Sequence, residues 1–90
     1  MYDVLKLENE INLNGVKLNK LKVKALNAAT LLEAKQFDPS SPDFEKALIL
    51  GVFTELCDDD FDHIHARDYL RMSHVVEDML TVEEKPSFLP

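Results

Sequence analysis

Apolar and polar residues alternate from Val4 to Ala25, and the alternation is interrupted at Asn14-Gly15. Asn-Gly suits the two positive-φ positions of a type I′ turn, so the stretch reads as a β-hairpin. A two-residue loop sets Leu13 opposite Val16 and Ile11 opposite Leu18. Beyond Leu18 the apolar parity switches, from Val16 and Leu18 to Leu21 and Val23. One extra residue near Asn19-Lys20, a β-bulge, keeps one face apolar throughout, pairing Leu21 with Asn9, Val23 with Leu7 and Ala25 with Leu5. The other face carries Lys6, Glu8, Glu10, Asn12, Lys17, Lys22 and Lys24 and is expected to meet water or an acidic neighbour. A lone two-stranded hairpin is marginal, so its apolar face must rest on helices or join a larger sheet.

The spacing then becomes helical. Asn27 is the expected N-cap of a short helix from Ala28 to about Gln36, with Ala28, Leu31 and Leu32 towards the core. Phe37 to Pro42 reads as a loop that leads into the next helix, with Ser41 as N-cap, Pro42 at the first helical position and Asp43 and Glu45 in the first turn. That helix, Phe44 to Leu56, is apolar without interruption from Ala47 to Phe53. A helix apolar nearly all round is buried on most sides, which makes this the expected central element. Gly51 costs about 1 kcal/mol relative to alanine inside it, and the usual compensation is a neighbouring element close to the backbone. Phe61 and Ile64 suggest one helical turn after the acidic run. A last helix is expected from Ala66 to Leu80, with Tyr69, Met72, Ser73, Val76, Met79 and Leu80 on its apolar stripe and Leu70 and Val75 widening it. Arg67, Asp68, Arg71, His74, Glu77 and Asp78 fall mostly on the other side. These elements define an α+β fold, strands first and helices after. The expectation is a single domain over residues 1–80 and a flexible tail over 81–90.

Charge sharpens this picture. The net charge of −7 is uneven: residues 1–36 hold six lysines against four acids, or +2, and residues 37–90 hold four basic residues against thirteen acids, or −9. An acidic surface argues against nucleic-acid binding and suits basic partners. The single cysteine, Cys57, excludes an internal disulfide and fits a reducing compartment. The N-terminus does not read as a signal peptide, and no stretch is long and apolar enough for a transmembrane helix.

Candidate chemistry is sparse. Asp58, Asp59, Asp60, Asp62, His63, His65 and Asp68 have metal-ligating side chains, but no glycine follows the acids as in an EF-hand loop, and His63 and His65 are two apart, on different sides of a helical turn. The cluster reads as a solvated connection. Cys57 reads as a small buried hydrophobe rather than a nucleophile, and His74 as exposed. The two glycines, Gly15 and Gly51, cannot build a phosphate loop. Lys17, Lys20, Lys22 and Lys24 form either a solvated strand face that blunts edge pairing or a surface for a partner of opposite charge. No catalytic residue, cofactor or metal is expected.

Taken in order, VLKLENEINLNGVKLNKLKV, LNAATLLEAKQ, FEKALILGVFTELC and FDHIHARDYLRMSHVVEDML resemble the Mu-like family of phage tail assembly chaperones over residues 4–80. The chain departs from the family at Lys24, Ala25 and Leu26, where an arginine followed closely by a proline is common. The resemblance implies a non-enzymatic protein of the bacterial host cytoplasm that coats the tape-measure protein before the tail tube polymerises. A tape-measure protein is a long helical chain with exposed apolar faces, and helix-in-groove contacts would shield it. Partner contacts are expected at Met72, Met79 and Leu80 on the edge of the last helix and at Phe88 and Leu89 in the tail; the competing reading of the methionines is core packing. Free hairpin edges are compatible with a homo-oligomer. Two other classes remain: a small acidic regulator that binds a host protein, and a metal-dependent subunit using the aspartate–histidine cluster.

Overall fold

The computed structural model describes residues 4–83, with side chains for residues 4–80. Strands β1 (Val4–Leu13) and β2 (Val16–Lys22) form an antiparallel hairpin, followed by helices α1 (Ala28–Ala34) and α2 (Pro42–Val52), a 3-10 turn (Asp58–His63) and helix α3 (Ala66–Glu83). The fold is α+β. Asn14 and Gly15 both have positive φ, 53° and 85°, and Asn12 Oδ1 accepts the Gly15 N–H at 2.8 Å, which stiffens the hairpin tip.

The register agrees with expectation next to the turn, where Leu13 faces Val16 and Ile11 faces Leu18. Further along it differs. The irregularity lies in β1, between Lys6 and Ile11, rather than near Asn19-Lys20 in the second strand. Leu21 therefore faces Leu5, not Asn9, and Lys6 faces Lys20. The cause is a contact from the far end of the chain. The Asp68 carboxylate on α3 accepts the Glu8 N–H at 2.8 Å and the Asn9 N–H at 3.0 Å. Those donors are turned away from β2, and a strand whose amides are satisfied elsewhere can bulge without leaving them orphaned. The change of parity survives, so Ile11, Leu13, Leu21 and Val23 all reach the core. Val23 and Ala25 lie beyond β2 and do not pair with Leu7 and Leu5, and Ala25 is exposed.

The helix starts follow local chemistry. Asn27 Oδ1 caps α1 by accepting the Thr30 N–H at 2.9 Å, and Ser41 Oγ caps α2 by accepting the Asp43 N–H at 3.1 Å, with Pro42 at the first helical position. On α1, Ala34 is buried and Leu31 packs against the core, whereas Ala28 and Leu32 are exposed; the helix is too short to turn its first residue inward as well. The second helix stops at Val52, four residues before Leu56. The Val52 carbonyl accepts the Lys24 N–H at 2.8 Å, while the Leu56 N–H bonds to the Phe53 carbonyl at 3.0 Å. The helical ladder is thereby diverted, yet Phe53 and Leu56 remain buried. Gly51 faces Thr30 of α1: a Cβ there would lie 2.6 Å from Thr30 Oγ1 and 2.9 Å from Thr30 Cβ. That is the close approach the glycine permits.

On α3, Met72, Val75 and Val76 fill the core, Ser73 is buried, and Tyr69, Met79 and Leu80 flank it. Leu70 does not widen the stripe: it is 57% exposed. Asp68, expected on the polar side, is 1% exposed, because its carboxylate serves the β1 bulge. Arg71 Nη1 lies 3.6 Å from the same carboxylate. No buried side-chain nitrogen or oxygen among the described residues lacks a partner. The helix also runs three residues beyond Leu80.

Candidate functional site

α2 uses its apolar circumference in two ways. Leu48, Ile49 and Val52 enter the core, while Ala47, Leu50 and Gly51 are only partly covered. The latter three line a cavity of about 400 Å³ together with Phe37, Glu33, Asp43, Lys46 and Asp58. Its floor is apolar, built from Phe37 at the exit of α1 and the Ala47-Leu50-Gly51 face of α2. Phe37 is 40% exposed, so its ring is available at the surface. Three carboxylates and one ammonium form the rim.

The rim charges are not equivalent. Lys46 Nζ is 2.8 Å from Asp58 and 5.1 Å from the centre of the Phe61 ring, combining an ion pair with a cation–π contact. The Asp58 carboxylate bound at Nζ holds the Lys46 pKa above its ordinary value. Glu33 and Asp43 make no ion pair among the described residues. The groove therefore offers apolar surface edged by a net negative rim, three carboxylates against one ammonium, a seat for an apolar segment that carries cations.

The wall between α2 and α3 is held by a polar link that the sequence pattern did not reveal. Glu45 accepts hydrogen bonds from the Tyr69 hydroxyl and, at 2.6 Å, from Ser73 Oγ. Tyr69 also packs edge-to-face on Phe61, with ring centres 6.2 Å apart. Burial, then the hydrogen bond to Glu45 and its charge, push the Tyr69 phenol from 10.0 up to about 12. The folded pKa is thus raised. Its stabilising contribution is complete below about pH 10, where the unfolded phenol keeps its proton, and is lost as the pH rises towards 12. Tyr69→Phe is expected to lower stability at neutral pH by about 1 kcal/mol. Its deficit relative to the parent chain should shrink between about pH 10 and 12. Urea unfolding of both chains across that range measures this; a deficit that stays constant with pH would remove Glu45–Tyr69 as a stabilising link.

The residues singled out by sequence are dispersed. Asp58, Asp59, Asp62, His63 and His65 are exposed, Asp60 is half-buried with Oδ2 accepting the Cys57 N–H at 2.7 Å, and Asp68 points into the β1 bulge. Among the described residues no three His, Cys, Asp or Glu side chains gather to hold a metal ion. Cys57 is exposed, contrary to the expectation of burial, because α2 ends before reaching it. His74 is exposed. Of the expected partner contacts, Met72 is fully buried and packs the core, so it offers no surface. Met79 and Leu80 are half-buried, and Phe88 and Leu89 lie outside the described residues. No helix among the described residues is long and apolar enough to cross a membrane. Comparison with protein-family models, curated proteins and solved structures finds no match to this chain.

Proposed function

We propose that this chain is a non-enzymatic assembly chaperone, of the phage tail class that its sequence resembles, and that it shields an apolar helical segment of a tape-measure protein. The observation that carries the reading is the groove along α2, where Phe37, Ala47 and Leu50 present apolar surface between the carboxylates of Glu33 and Asp43. A helix laid in such a groove buries its apolar stripe and sets its basic flanks against the rim. Met79 and Leu80, half-buried on α3, are a second apolar edge. The acidic surface of the helical half keeps a many-copy complex soluble by repulsion. The bacterial cytoplasm is where such an assembly would take place.

Co-expression with the tape-measure protein of the same tail-gene cluster tests this. The large partner is expected to become soluble and to carry many copies of this chain, and Leu50→Glu, which puts a charge on the groove floor, is expected to reduce the recovered complex at least about tenfold. A partner that stays insoluble, with this chain eluting alone, overturns the reading. Host proteins captured in its place, and lost on reversing Asp58, Asp59 and Asp60, would establish the acidic-regulator alternative.

A further inference from the structure

We propose that the hairpin tip of one copy of this chain seats in the α2 groove of another, joining copies head to tail. The tip carries the matching chemistry. Val16, the first residue after the turn, is 57% exposed, and Lys17 beside it is exposed as well. Lys20 and Lys22 continue the basic surface along β2, and Lys6 stands directly across from Lys20. Like charges directly opposite on a sheet repel, and none of these lysines makes an ion pair among the described residues. Among the described residues these ammonium groups are thus left without an ion-paired carboxylate, and the Glu55 carboxylate is held by the Lys22 backbone N–H. On the groove rim Glu33 makes no ion pair among the described residues, and Asp43 makes none either, sharing with Asp58 and Asp62 the through-space influence of Lys46.

Shape and rigidity agree with charge. The molecule is elongated, 50 × 26 × 21 Å. Both turn residues hold positive φ and the Asn12 side chain braces Gly15, so docking the tip orders little that is not already ordered. A cavity of about 400 Å³ accommodates a valine side chain and part of a two-residue turn. Val16 would meet Phe37, Ala47 and Leu50, and Lys17 would reach Asp43 or Glu33. An anionic polymer could meet the lysines but would leave Val16 unmatched and would be repelled by the −7 charge of the chain. A second copy satisfies both tip and groove. Because the partner helix of the proposed function would occupy the same groove, the two occupants exclude each other and self-association belongs to the partner-free chain. Because tip and groove are different surfaces, the contact is heterologous, and its repetition gives chains or a ring. The tip is narrow, so the contact falls below the roughly 1,200 Å² of a standard stable interface and association is weak and sensitive to salt.

Sedimentation equilibrium of the purified chain, without any partner, tests this independently of the chaperone reading. At low salt the weight-average mass is expected to climb with concentration to at least about twice that of one chain and to fall back at about 0.5 M salt. Lys17→Glu blocks the tip and Asp43→Lys blocks the groove; each alone is expected to remain monomeric. Mixed, they are expected to associate again, since the unaltered tip of the Asp43→Lys chain fits the unaltered groove of the Lys17→Glu chain and the reversed tip meets the reversed rim with opposite charge. Glu33→Lys provides a second groove block should Asp43→Lys weaken the start of α2. A parent chain that stays monomeric at all concentrations overturns the proposal. So do blocked variants that associate as the parent does, or a mixture that fails to pair.

Discussion

Asp68→Ala is expected to destabilise the fold by about 3 kcal/mol, since hydrogen bonds to a charged group each contribute roughly 1.5–3 kcal/mol and two are lost. The acceptor is 1% exposed and receives the Glu8 and Asn9 amides, so the substitution removes the buried tie between the β1 bulge and α3 and leaves only the exposed, 3.5 Å contact of Arg67 with the Glu8 carboxylate among the described side-chain acceptors there. For a domain of this size a loss of that order lowers the thermal midpoint by roughly 12–24 °C. Asp68→Asn is expected to be nearly as harmful, because one of its two terminal atoms becomes a donor facing a donor. Asp59→Ala, at an exposed position in the same acidic stretch, should stay within about 0.5 kcal/mol of the parent. Thermal unfolding gives the global cost, and hydrogen exchange at Glu8 and Asn9 locates it. Unchanged melting together with unchanged protection of those two amides would show that Asp68 does not organise the bulge.

Gly51→Ala is expected to cost about 1–3 kcal/mol, although alanine is better than glycine in a helix by about 1 kcal/mol. The added methyl would sit 2.6 Å from Thr30 Oγ1 and 2.9 Å from Thr30 Cβ. Rotating the threonine side chain moves its oxygen but leaves its Cβ in place, so α1 must shift from α2. Combining Gly51→Ala with Thr30→Gly removes the obstacle, and the pair is expected to recover most of the loss, a coupling that a double-mutant cycle measures. The same displacement of α1 would move Glu33 and Phe37, two of the groove residues, so Gly51→Ala is also expected to weaken whatever the groove holds. A higher melting point for Gly51→Ala would mean that the two helices do not depend on this contact.

These two positions show how unevenly the site was legible. Gly51 could be read as a place of close approach because a glycine inside an apolar helix is a local anomaly. Ala47 and Leu50 were flagged by the same uninterrupted apolar run, which marked α2 as carrying more apolar surface than one core stripe requires. Where that extra surface faces was not legible: it forms the floor of a groove completed by Phe37, a loop residue without a helical period of its own. Asp68 was read as solvent-facing because carboxylates usually are, and the backbone donors that reverse this are about sixty residues away in the chain. Met72 and Leu70 illustrate a smaller effect. Both fell on a broad apolar stripe, but the stripe is wider than the contact made by the hairpin and α2, so Met72 is buried and Leu70 remains in water.

By itself the sequence determined the features whose causes lie within a few residues. Those are the Asn14-Gly15 turn, the pairing next to it, the Asn27 and Ser41-Pro42 helix starts and the strands-then-helices order of an α+β chain. Each follows from a backbone angle or a hydrogen bond between near neighbours, so it survives without knowledge of the rest. Only the tertiary structure decided which strand bulges, where α2 ends, which carboxylate is buried and where a groove remains open. Those outcomes depend on donors, acceptors and side-chain volumes brought together from distant segments. β1 bulges where Asp68 accepts its amides, and α2 stops where the Val52 carbonyl accepts the Lys24 N–H.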